Sequence, residues 1–327
     1  MILDGFRGLR DAGVLGINYR NAGYIMAHNA RSRFPLVDDK VQTKRLAEKF
    51  GIPIPELYAV VENHGDIAKL PEILGKRREF VIKPARGSGG SGIILIQDRR
   101  DEGFVTQSGR VMSMDDFAYH IASILSGIYS LEASEDAAII EALIHPDPVF
   151  DRVTFQGGVP DERVIVYRGV PVMAMVRLPT EASDGKANLH QGAIGAGIDI
   201  GSGVTLTAVH RSRIVSRHPD TENSVSGIQL PHWDKLLTMA AAATEMTGLG
   251  YLGADFVLDR EKGPVLLELN ARPGLAIQMA NRSGLRLRLD RIDQAPPEIF
   301  LTPASRVAWA RDQFRQSATG TVNGTDP

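Results

Sequence analysis

The chain has 327 residues, of which 43% are hydrophobic and 23% charged, which is ordinary for a globular protein of one or two domains. Its formal net charge of −2 gives no strong electrostatic case for binding nucleic acid or an anionic membrane, so we expect neither partner. The absence of cysteine excludes disulfides, thiolate metal sites and cysteine nucleophiles; with no membrane-length apolar run and no signal-peptide core, we expect a cytoplasmic protein.

Residues 1–37 are predicted to form a short N-terminal extension, for which two short helices are plausible. Arginines lie among interspersed glycines in this extension, at Arg7, Arg10, Arg20, Arg31 and Arg33. We favour a packing extension whose arginines are solvated. The alternative is a basic surface for an anionic substrate or partner.

Two helices have clear start signals. The first is predicted over residues 38–50, with Asp38 or Asp39 as its N-cap and Gly51 after its end. Its apolar side consists of Val41, Leu46, Ala47 and Phe50. Ser113 is predicted to cap the second helix. The buried stripe of the second helix consists of Phe117, Ile121, Ile124, Leu125 and Ile128.

A glycine-rich loop joins two predicted strands, Phe80–Ile82 and Ile93–Ile96, with Lys83 at the end of the first strand before Pro84. Loop glycines cost backbone entropy, and bare amides that approach phosphate are the usual reason for them. The loop contains a literal G-x-G-x-x-G, but a dinucleotide fingerprint needs a helix next, whereas a strand follows here. We therefore predict a mobile flap over a triphosphate, with Lys83 reaching the phosphates; the alternative is a flexible surface hairpin.

A nearly continuous apolar run, Ala137–Ile144, predicts a buried strand in which Glu141 needs a partner. A hairpin is predicted from Arg163–Tyr167 and Val170–Leu178, and Arg163 and Arg177 near its free ends are expected to converge on an anion. Surface arginines would give the same pattern. His190, in the polar loop at 186–192, is either catalytic or, as we favour, a hydrogen-bonded loop histidine.

An acidic hairpin follows a helix predicted over Pro231–Thr247, and its strands are Ala254–Leu258 and Val265–Leu269. If Asp259 lies opposite Pro264, then Asp255 lies opposite Glu268, and Asn270 shares their face. Two carboxylates and an amide oxygen suit Mg²⁺, because a cation offsets the repulsion between like charges. The alternative is three polar residues on the wet face of an ordinary hairpin. A last helix is predicted over residues 303–316, followed by a disordered tail at 317–327.

These segments in this order resemble the ATP-grasp ligases, and within that superfamily the RimK-type glutamate ligases and glutathione synthetases. The resemblance covers residues 38–284, and it begins with Asp39-Lys40 and the run Gly51-Ile52-Pro53-Ile54-Pro55. It implies an α+β fold in which two α+β subdomains clasp ATP. The implied ATP-grasp domain spans 38–295, with a lid subdomain at 79–142 and a metal and substrate subdomain at 143–295, before a C-terminal region at 296–327.

Site residues follow from the resemblance, motif by motif. It implies catalytic roles for Arg163, Arg177 and Arg272, and metal binding by Asp255, Glu268 and Asn270. It implies that nucleotide is bound by Lys40, Lys83, Gly89, Gly90, Ser91, Glu141, Ala142, Ile144, Asp161, Lys186 and Asn188. Backbone groups of Ala142 and Ile144 would read adenine. Lys186 stands where the family has arginine, which keeps the charge but loses the bidentate fork.

Two departures from the family pattern concern the substrate. Relatives usually carry about a hundred residues before the Asp-Lys opening, whereas 37 precede Asp38 here. We expect residues 1–37, a second subunit or a partner protein to replace the missing substrate domain. Arg272 stands where small residues are common among RimK-like enzymes, and we hypothesise that it holds a carboxylate or the acyl phosphate.

The implied activity is ATP-dependent carboxylate–amine ligation with Mg²⁺, or alternatively Mn²⁺, as the metal. The substrates would be a small molecule or peptide with a free carboxylate and an amine donor, such as glutamate and a peptide or amino-acid acceptor. Two alternatives stay open, namely a kinase on the same fold and a nucleotide-binding partner subunit without catalysis.

Overall fold

The computed structural model describes residues 8–87, 89–130, 134–155 and 157–316. Arg7 and the tail predicted to be disordered lie outside these ranges. Two antiparallel sheets, one built mainly from the first half of the chain and one from the second, carry the fold. The predicted α+β class is confirmed. No helix in the described part of the chain is long and apolar enough to cross a membrane.

The first sheet has six strands in the order β1-β6-β2-β3-β4-β5. Its strands are β1 (Leu57–Val61), β2 (Phe80–Pro84), β3 (Ile94–Arg100), β4 (Gly103–Thr106), β5 (Val111–Met112) and β6 (Ala138–Glu141). The second sheet has seven strands in the order β11-β10-β9-β8-β7-β12-β13. Its strands are β7 (Asp161–Tyr167), β8 (Val170–Leu178), β9 (Ile194–Ile198), β10 (Thr205–His210), β11 (Arg213–Val215), β12 (Tyr251–Asp259) and β13 (Gly263–Asn270).

Helices cover the two sheets. The longer ones are α1 (Lys40–Lys49), α2 (Met114–Leu125), α3 (Trp233–Thr247), α4 (Leu285–Asp293) and α5 (Pro303–Gln313). Short helical segments are Ile17–Tyr19, Met26–His28, Pro35–Asp38, Leu70–Leu74 and Ile277–Ala280, with a π-helical turn at Arg20–Ile25. Short 3₁₀ turns are Arg31–Arg33, His64–Lys69, Pro148–Phe150, Glu181–Ser183, Leu189–Gln191 and Pro297–Leu301.

The two main hydrophobic cores follow the two sheets. Helices α3, α4 and α5 pack on the second sheet in the larger core, and α2 and Leu70–Leu74 pack on the first sheet in the smaller one. The first sheet includes β1, which lies upstream of the predicted lid limits. The predicted domain boundaries stay a prediction.

Most helix signals proved correct, with local corrections at the ends. Asp39, not Asp38, caps α1, because its Oδ1 accepts from the backbone N–H groups of Val41 and Gln42 at 2.9 and 3.3 Å. Phe50 is 48% exposed, so its predicted place on the apolar side is wrong; α1 ends at Lys49 and Gly51 turns the chain away with φ +65°.

The second helix and the helix after residue 230 show similar end effects. Ser113 and Asp116 form a reciprocal capping box at the start of α2. Ile128 is 67% exposed, because α2 ends at Leu125 and the chain turns at Gly127 with φ +77°. Helix α3 starts at Trp233, two residues after Pro231, so Pro231 does not lie in its first turn as predicted.

Two strand limits also differ from the predictions. Strand β2 continues through Lys83 and Pro84, which pair with Ile139 and Ala138 of β6. The apolar run at 137–144 leaves the sheet after Glu141, because the backbone N–H of Ala142 turns to the carbonyl of Glu56 at 2.9 Å.

The N-terminal segment packs directly on the second sheet. The side-chain amide of Asn29 binds both backbone groups of Tyr251, donating to its carbonyl at 2.6 Å and accepting from its N–H at 2.9 Å. Arg20 is buried and donates to the carbonyl of Pro273 at 2.7 Å, so the expectation of a solvated arginine is wrong for this residue. Arg10, Arg31 and Arg33 are exposed, as favoured.

Candidate functional site

A cleft of about 1260 Å³ lies between the two sheets and takes lining residues from both. Every residue predicted for the site except Asp255 lines this cleft. Those residues are Lys40, Lys83, Gly89, Gly90, Ser91, Glu141, Ala142, Ile144, Asp161, Arg163, Arg177, Lys186, Asn188, Glu268, Asn270 and Arg272. His190, which we considered as an alternative catalytic residue, is exposed and is not among the lining residues.

The acidic hairpin places Asp255 of β12 opposite Glu268 of β13, as predicted. The register at the turn is one residue different from the prediction, because Asp259 pairs with Gly263 rather than with Pro264. A shift in register between Asp255 and Phe256 absorbs the difference. Such an irregularity re-aims side chains locally, and here it leaves the two carboxylates opposite each other.

Asn270 joins the two carboxylates. Its Nδ2 lies 3.2 Å from Oδ2 of Asp255 and 3.4 Å from Oε1 of Glu268. The other Glu268 oxygen lies 3.8 Å from Nζ of Lys40 on α1. Three polar side chains from two neighbouring strands therefore converge at the floor of the cleft, with a lysine from a helix above them.

Arg163 and Arg177 converge on an anion, as expected, and that anion is a carboxylate of the protein. Arg163 donates from Nε and Nη2 to the two oxygens of Asp255 at 2.8 and 2.5 Å. Arg177 donates to both oxygens of Asp161 at 2.5 Å, and from Nη2 to Asp255 at 2.9 Å. Bidentate pairs of this kind fix the orientation of both partners.

This network separates the acidities of its two carboxyl groups. Burial opposes ionisation of Asp255, which is fully buried, but Arg163 and then Arg177 outweigh it and hold the pKa of Asp255 below its ordinary value. Burial raises the pKa of Asp161 to about 7, against the opposite pull of Arg177. Because the two acids share one guanidinium, Asp255 is the one that stays ionised at neutral pH.

The donor chemistry at the hairpin fits a hard divalent cation. Within the described residues, no group of three histidine, aspartate or glutamate side chains could hold a metal, so a site here needs the Asn270 amide oxygen as well. Oδ1 of Asp255 accepts one hydrogen bond, from Arg163, and a carboxylate oxygen has room for a second partner. The amide orientation of Asn270 follows from the hydrogen-bond network, and a rotation would present its oxygen to the carboxylates.

Lys83 lies at the end of β2 and faces the cleft, where it forms an ion pair with Oε1 of Glu141. The second oxygen of Glu141 binds Nζ of Lys44 at 2.7 Å. The prediction that Glu141 needs a partner is therefore correct, and it has two. Sequence reasoning missed Lys44, although Lys40 and Lys44 are four residues apart on α1 and so share a helix face.

The glycine loop contacts the opposite side of the cleft. The carbonyl of Gly89 accepts from side-chain amides of Asn188 and Gln191, both at 3.4 Å. Nζ of Lys40 donates to the carbonyl of Gly87 at 2.6 Å. Gly90 has φ +81°, a conformation that glycine adopts readily, and lies beside the stem of Lys186. The loop thus spans from the first sheet to the loop that precedes β9.

The remaining predicted residues lie along the cleft walls. The backbone N–H of Ala142 already donates to Glu56, so only its carbonyl could read a base. The Arg272 guanidinium lies over the ring of Phe34, 5.0 Å from its centroid, and links the N-terminal segment to the cleft. The roles of all these residues stay predictions.

A protein-family model described as "Sugar-transfer associated ATP-grasp" matches residues 19–294. The match begins inside the segment predicted as an N-terminal extension. The expected ATP-grasp fold is therefore confirmed. A search of curated proteins finds no match.

Solved structures similar to this chain include three ATP-grasp enzymes. The ATP-grasp ligase PsnB with its minimal precursor is 15% identical, with TM-score 0.41, over 82% of this chain and 62% of that chain. D-alanine–D-alanine ligase from Bacillus anthracis is 14% identical, with TM-score 0.41, over 86% and 68%. The D-cycloserine synthetase DcsG is 14% identical, with TM-score 0.44, over 80% and 71%. The chain thus spans less than two thirds of the PsnB chain.

Proposed function

The chain belongs to the sugar-transfer associated ATP-grasp family, and on that premise we propose that it is an ATP- and Mg²⁺-dependent carboxylate–amine ligase. One observation carries the proposal. Lys83 from the first sheet and Glu268 and Asn270 from the second face the same cleft, beneath the glycine loop. A triphosphate between them would meet a cation on one side and metal-binding oxygens on the other.

The reaction would proceed in two steps. A substrate carboxylate attacks the γ-phosphorus of ATP, which forms an acyl phosphate and releases ADP. An amine then attacks the acyl carbon, the bond to phosphate breaks, and an amide and inorganic phosphate result with loss of the amine proton. Neither step needs a nucleophile from the protein, so the chain's task is to position reactants and offset charge.

Side chains of this chain would divide that task. Lys83 and Lys186 would neutralise phosphate oxygens, and Lys40 holds the glycine loop through Gly87 while lying near Glu268. Arg163 and Arg177 are already oriented by Asp255 and Asp161, so they can contact the transferring group without first losing side-chain freedom. Closure of the glycine loop would keep water from hydrolysing the acyl phosphate.

A divalent cation held by Asp255, Glu268 and Asn270 would neutralise phosphate charge when bound, as Mg²⁺ does in phosphoryl-transfer sites. Mn²⁺ shares the preference for oxygen ligands and is the alternative. We propose that Arg272, which lies at the cleft beside the N-terminal segment, holds a carboxylate of the substrate.

We propose a small molecule or peptide with a free carboxylate as one substrate and an amine donor as the other. The narrower resemblance to RimK-type glutamate ligases makes glutamate the first amine to test. D-alanine–D-alanine ligase, PsnB and DcsG provide further substrate classes for a screen, since their names describe amino-acid and peptide ligation. Whether a second copy or a partner protein completes the substrate site also stays a proposal.

Hydroxylamine tests the proposal without knowledge of the amine. The protein is incubated with ATP, Mg²⁺, a set of carboxylic acids and hydroxylamine, which converts an acyl phosphate into a hydroxamate detectable by mass spectrometry. We expect ADP and a hydroxamate in equal amounts, and neither with Glu268→Gln. A phosphorylated product that hydroxylamine does not intercept would select the kinase. ATP binding without ADP formation across the set would select a non-catalytic subunit.

A further inference from the structure

Glu141 lies between two lysines that reach it from different elements. Lys83, on the neighbouring strand β2, binds Oε1, and Lys44, on α1, binds Oε2 at 2.7 Å. All three side chains are buried, with exposed fractions of 2% for Lys44, 3% for Glu141 and 9% for Lys83. Only Lys83 and Glu141 of the three line the cleft.

The arrangement fixes the net charge behind Lys83. A buried Lys83–Glu141 pair alone would be neutral, and the carboxylate would compete with a phosphate for the ammonium group. With Lys44 on its other oxygen, Glu141 keeps one cationic partner when Lys83 turns toward a ligand. An ionised carboxylate left unpaired in this interior would be strongly unfavourable, so the second lysine decides whether Lys83 can leave.

We propose that Lys44 is a positioning residue that holds Glu141 and thereby releases Lys83 to bind the triphosphate. The inference rests on the proposed function, because it takes the cleft as an ATP site. Lys44 itself does not contact the nucleotide in this scheme, since its side chain lies behind Glu141 and outside the cleft lining.

Acidity supports this division of roles. Burial opposes the ionisation of Glu141, but Lys83 and Lys44 outweigh it and hold its pKa below the ordinary value. Burial, with Lys83 next, lowers the pKa of Lys44 to about 8, against the pull of Glu141 and of Glu48. A buried trio of charges is rarely the most stable way to fill a core, because desolvation offsets most of the attraction. The three charges therefore fit a functional requirement better than a structural one.

Three variants test the inference by nucleotide binding, with the ratio of ATP affinity to adenosine affinity as the readout. This ratio isolates the phosphate contacts, because any change at the adenine side affects both ligands. Lys44→Met should lower the ratio at least ten-fold, since Glu141 then holds Lys83 alone. Glu141→Gln should leave it equal to or above the wild-type ratio. The double variant should lie within three-fold of Glu141→Gln.

The double variant separates positioning from packing. If Lys44 only filled space, Lys44→Met would weaken ATP and adenosine equally and removal of Glu141 would not restore ATP binding; that result would overturn the inference. Lys49→Met, an exposed change on the same helix, is the control and should leave the ratio unchanged. Should Lys44→Met alone not fold, Glu141→Gln decides, because a ten-fold fall in its ratio would show that Lys83 needs the carboxylate.

Failure of the proposed function gives a different result. If the wild-type protein binds no ATP, the ATP site and the inference are both wrong. If it binds ATP and Lys44→Met has the wild-type ratio, only the inference about Lys44 is wrong. Hydroxamate formation plays no part in this test, so a negative ligase assay leaves its outcome readable.

Discussion

Arg163 and Asp255 form a bidentate ion pair across neighbouring strands, with Nε–Oδ1 and Nη2–Oδ2 distances of 2.8 and 2.5 Å. Asp255 is fully buried, and the pair sits at the floor of the cleft below the proposed phosphate site. The same carboxylate is thus both the anchor of a guanidinium and a candidate metal ligand. Because the planar fork matches two oxygens at once, this geometry cannot be reproduced by an ammonium group.

Arg163→Lys should therefore lower Mg²⁺-supported ADP formation by about ten- to a hundred-fold while the protein stays folded. The charge remains, but the orientation given by the fork is lost, and misplacement of this kind is known to cost about a hundred-fold. Steady-state ADP release measures the effect. Arg213→Lys, an exposed change on β11, is the matched control. A rate within two-fold of wild type would mean that charge alone matters at this position.

Glu268→Gln should abolish the dependence of turnover on Mg²⁺ and reduce ADP formation at least a hundred-fold. The amide keeps the shape of the side chain but loses the anionic oxygen that a hard cation prefers. A titration of Mg²⁺ against ADP release, with thermal unfolding to confirm the fold, checks this. Glu261→Gln, in the exposed turn of the same hairpin, should behave as wild type. Unchanged Mg²⁺ dependence in Glu268→Gln would remove the metal assignment.

Lys83→Ala should weaken ATP binding or turnover at least ten-fold, because the cleft loses the cation that faces the phosphates. The fold should survive, since Glu141 retains its ion pair with Lys44. Isothermal titration with ATP and steady-state kinetics give the two readouts. Lys76→Ala, at an exposed position before β2, serves as control. Normal ATP kinetics in Lys83→Ala would rule out a phosphate role.

Glu162→Gln should stabilise the protein, and more at pH 8 than at pH 5. Both carboxylate oxygens of Glu162 are buried without a hydrogen-bond partner, and burial followed by Asp161 raises its pKa well above 4.5. A folded-state pKa raised in this way stabilises the fold fully at low pH and progressively less as pH rises. The free energy of unfolding therefore falls by ~1.4 kcal/mol per pH unit until the folded-state pKa is reached.

Urea or thermal unfolding at pH 5 and pH 8 measures the difference between wild type and Glu162→Gln. The amide binds no titrating proton, so its contribution has no such slope. Glu102→Gln, at an exposed position, should change neither value. A variant that is equally or less stable than wild type at pH 8 would show that Glu162 is ionised and compensated in the fold.

Gly92→Ala should destabilise the protein more than Gly109→Ala. Both glycines have positive φ, +75° and +82°, so both changes carry a backbone strain of about 1–2 kcal/mol. A Cβ at Gly92 would also lie 2.6 Å from Cγ of Tyr129, whereas one at Gly109 would meet nothing within 4 Å. The difference in melting temperature isolates the contact with Tyr129. Equal melting temperatures would mean that the ring moves freely.

The strands and the pairing of Asp255 with Glu268 could be predicted from the sequence, because alternation and turn residues set the register of a short hairpin locally. The register shift beside Asp255 could not, since it compensates for a turn that is one residue tighter than expected. Glu141 could be identified as a carboxylate in need of a partner, because an apolar run signals burial wherever it packs.

Only the tertiary structure decided which cations meet which anions. Lys44 reaches Glu141 from a helix almost a hundred residues away in sequence, and Arg20 leaves solvent to bind the carbonyl of Pro273 on the far side of the chain. Local patterns report whether a residue is buried, and they carry no information about the partner that packing brings to it. In this protein the sequence determined the α+β elements and the candidate chemistry, while packing of the helices on the two sheets selected the ion pairs that orient it.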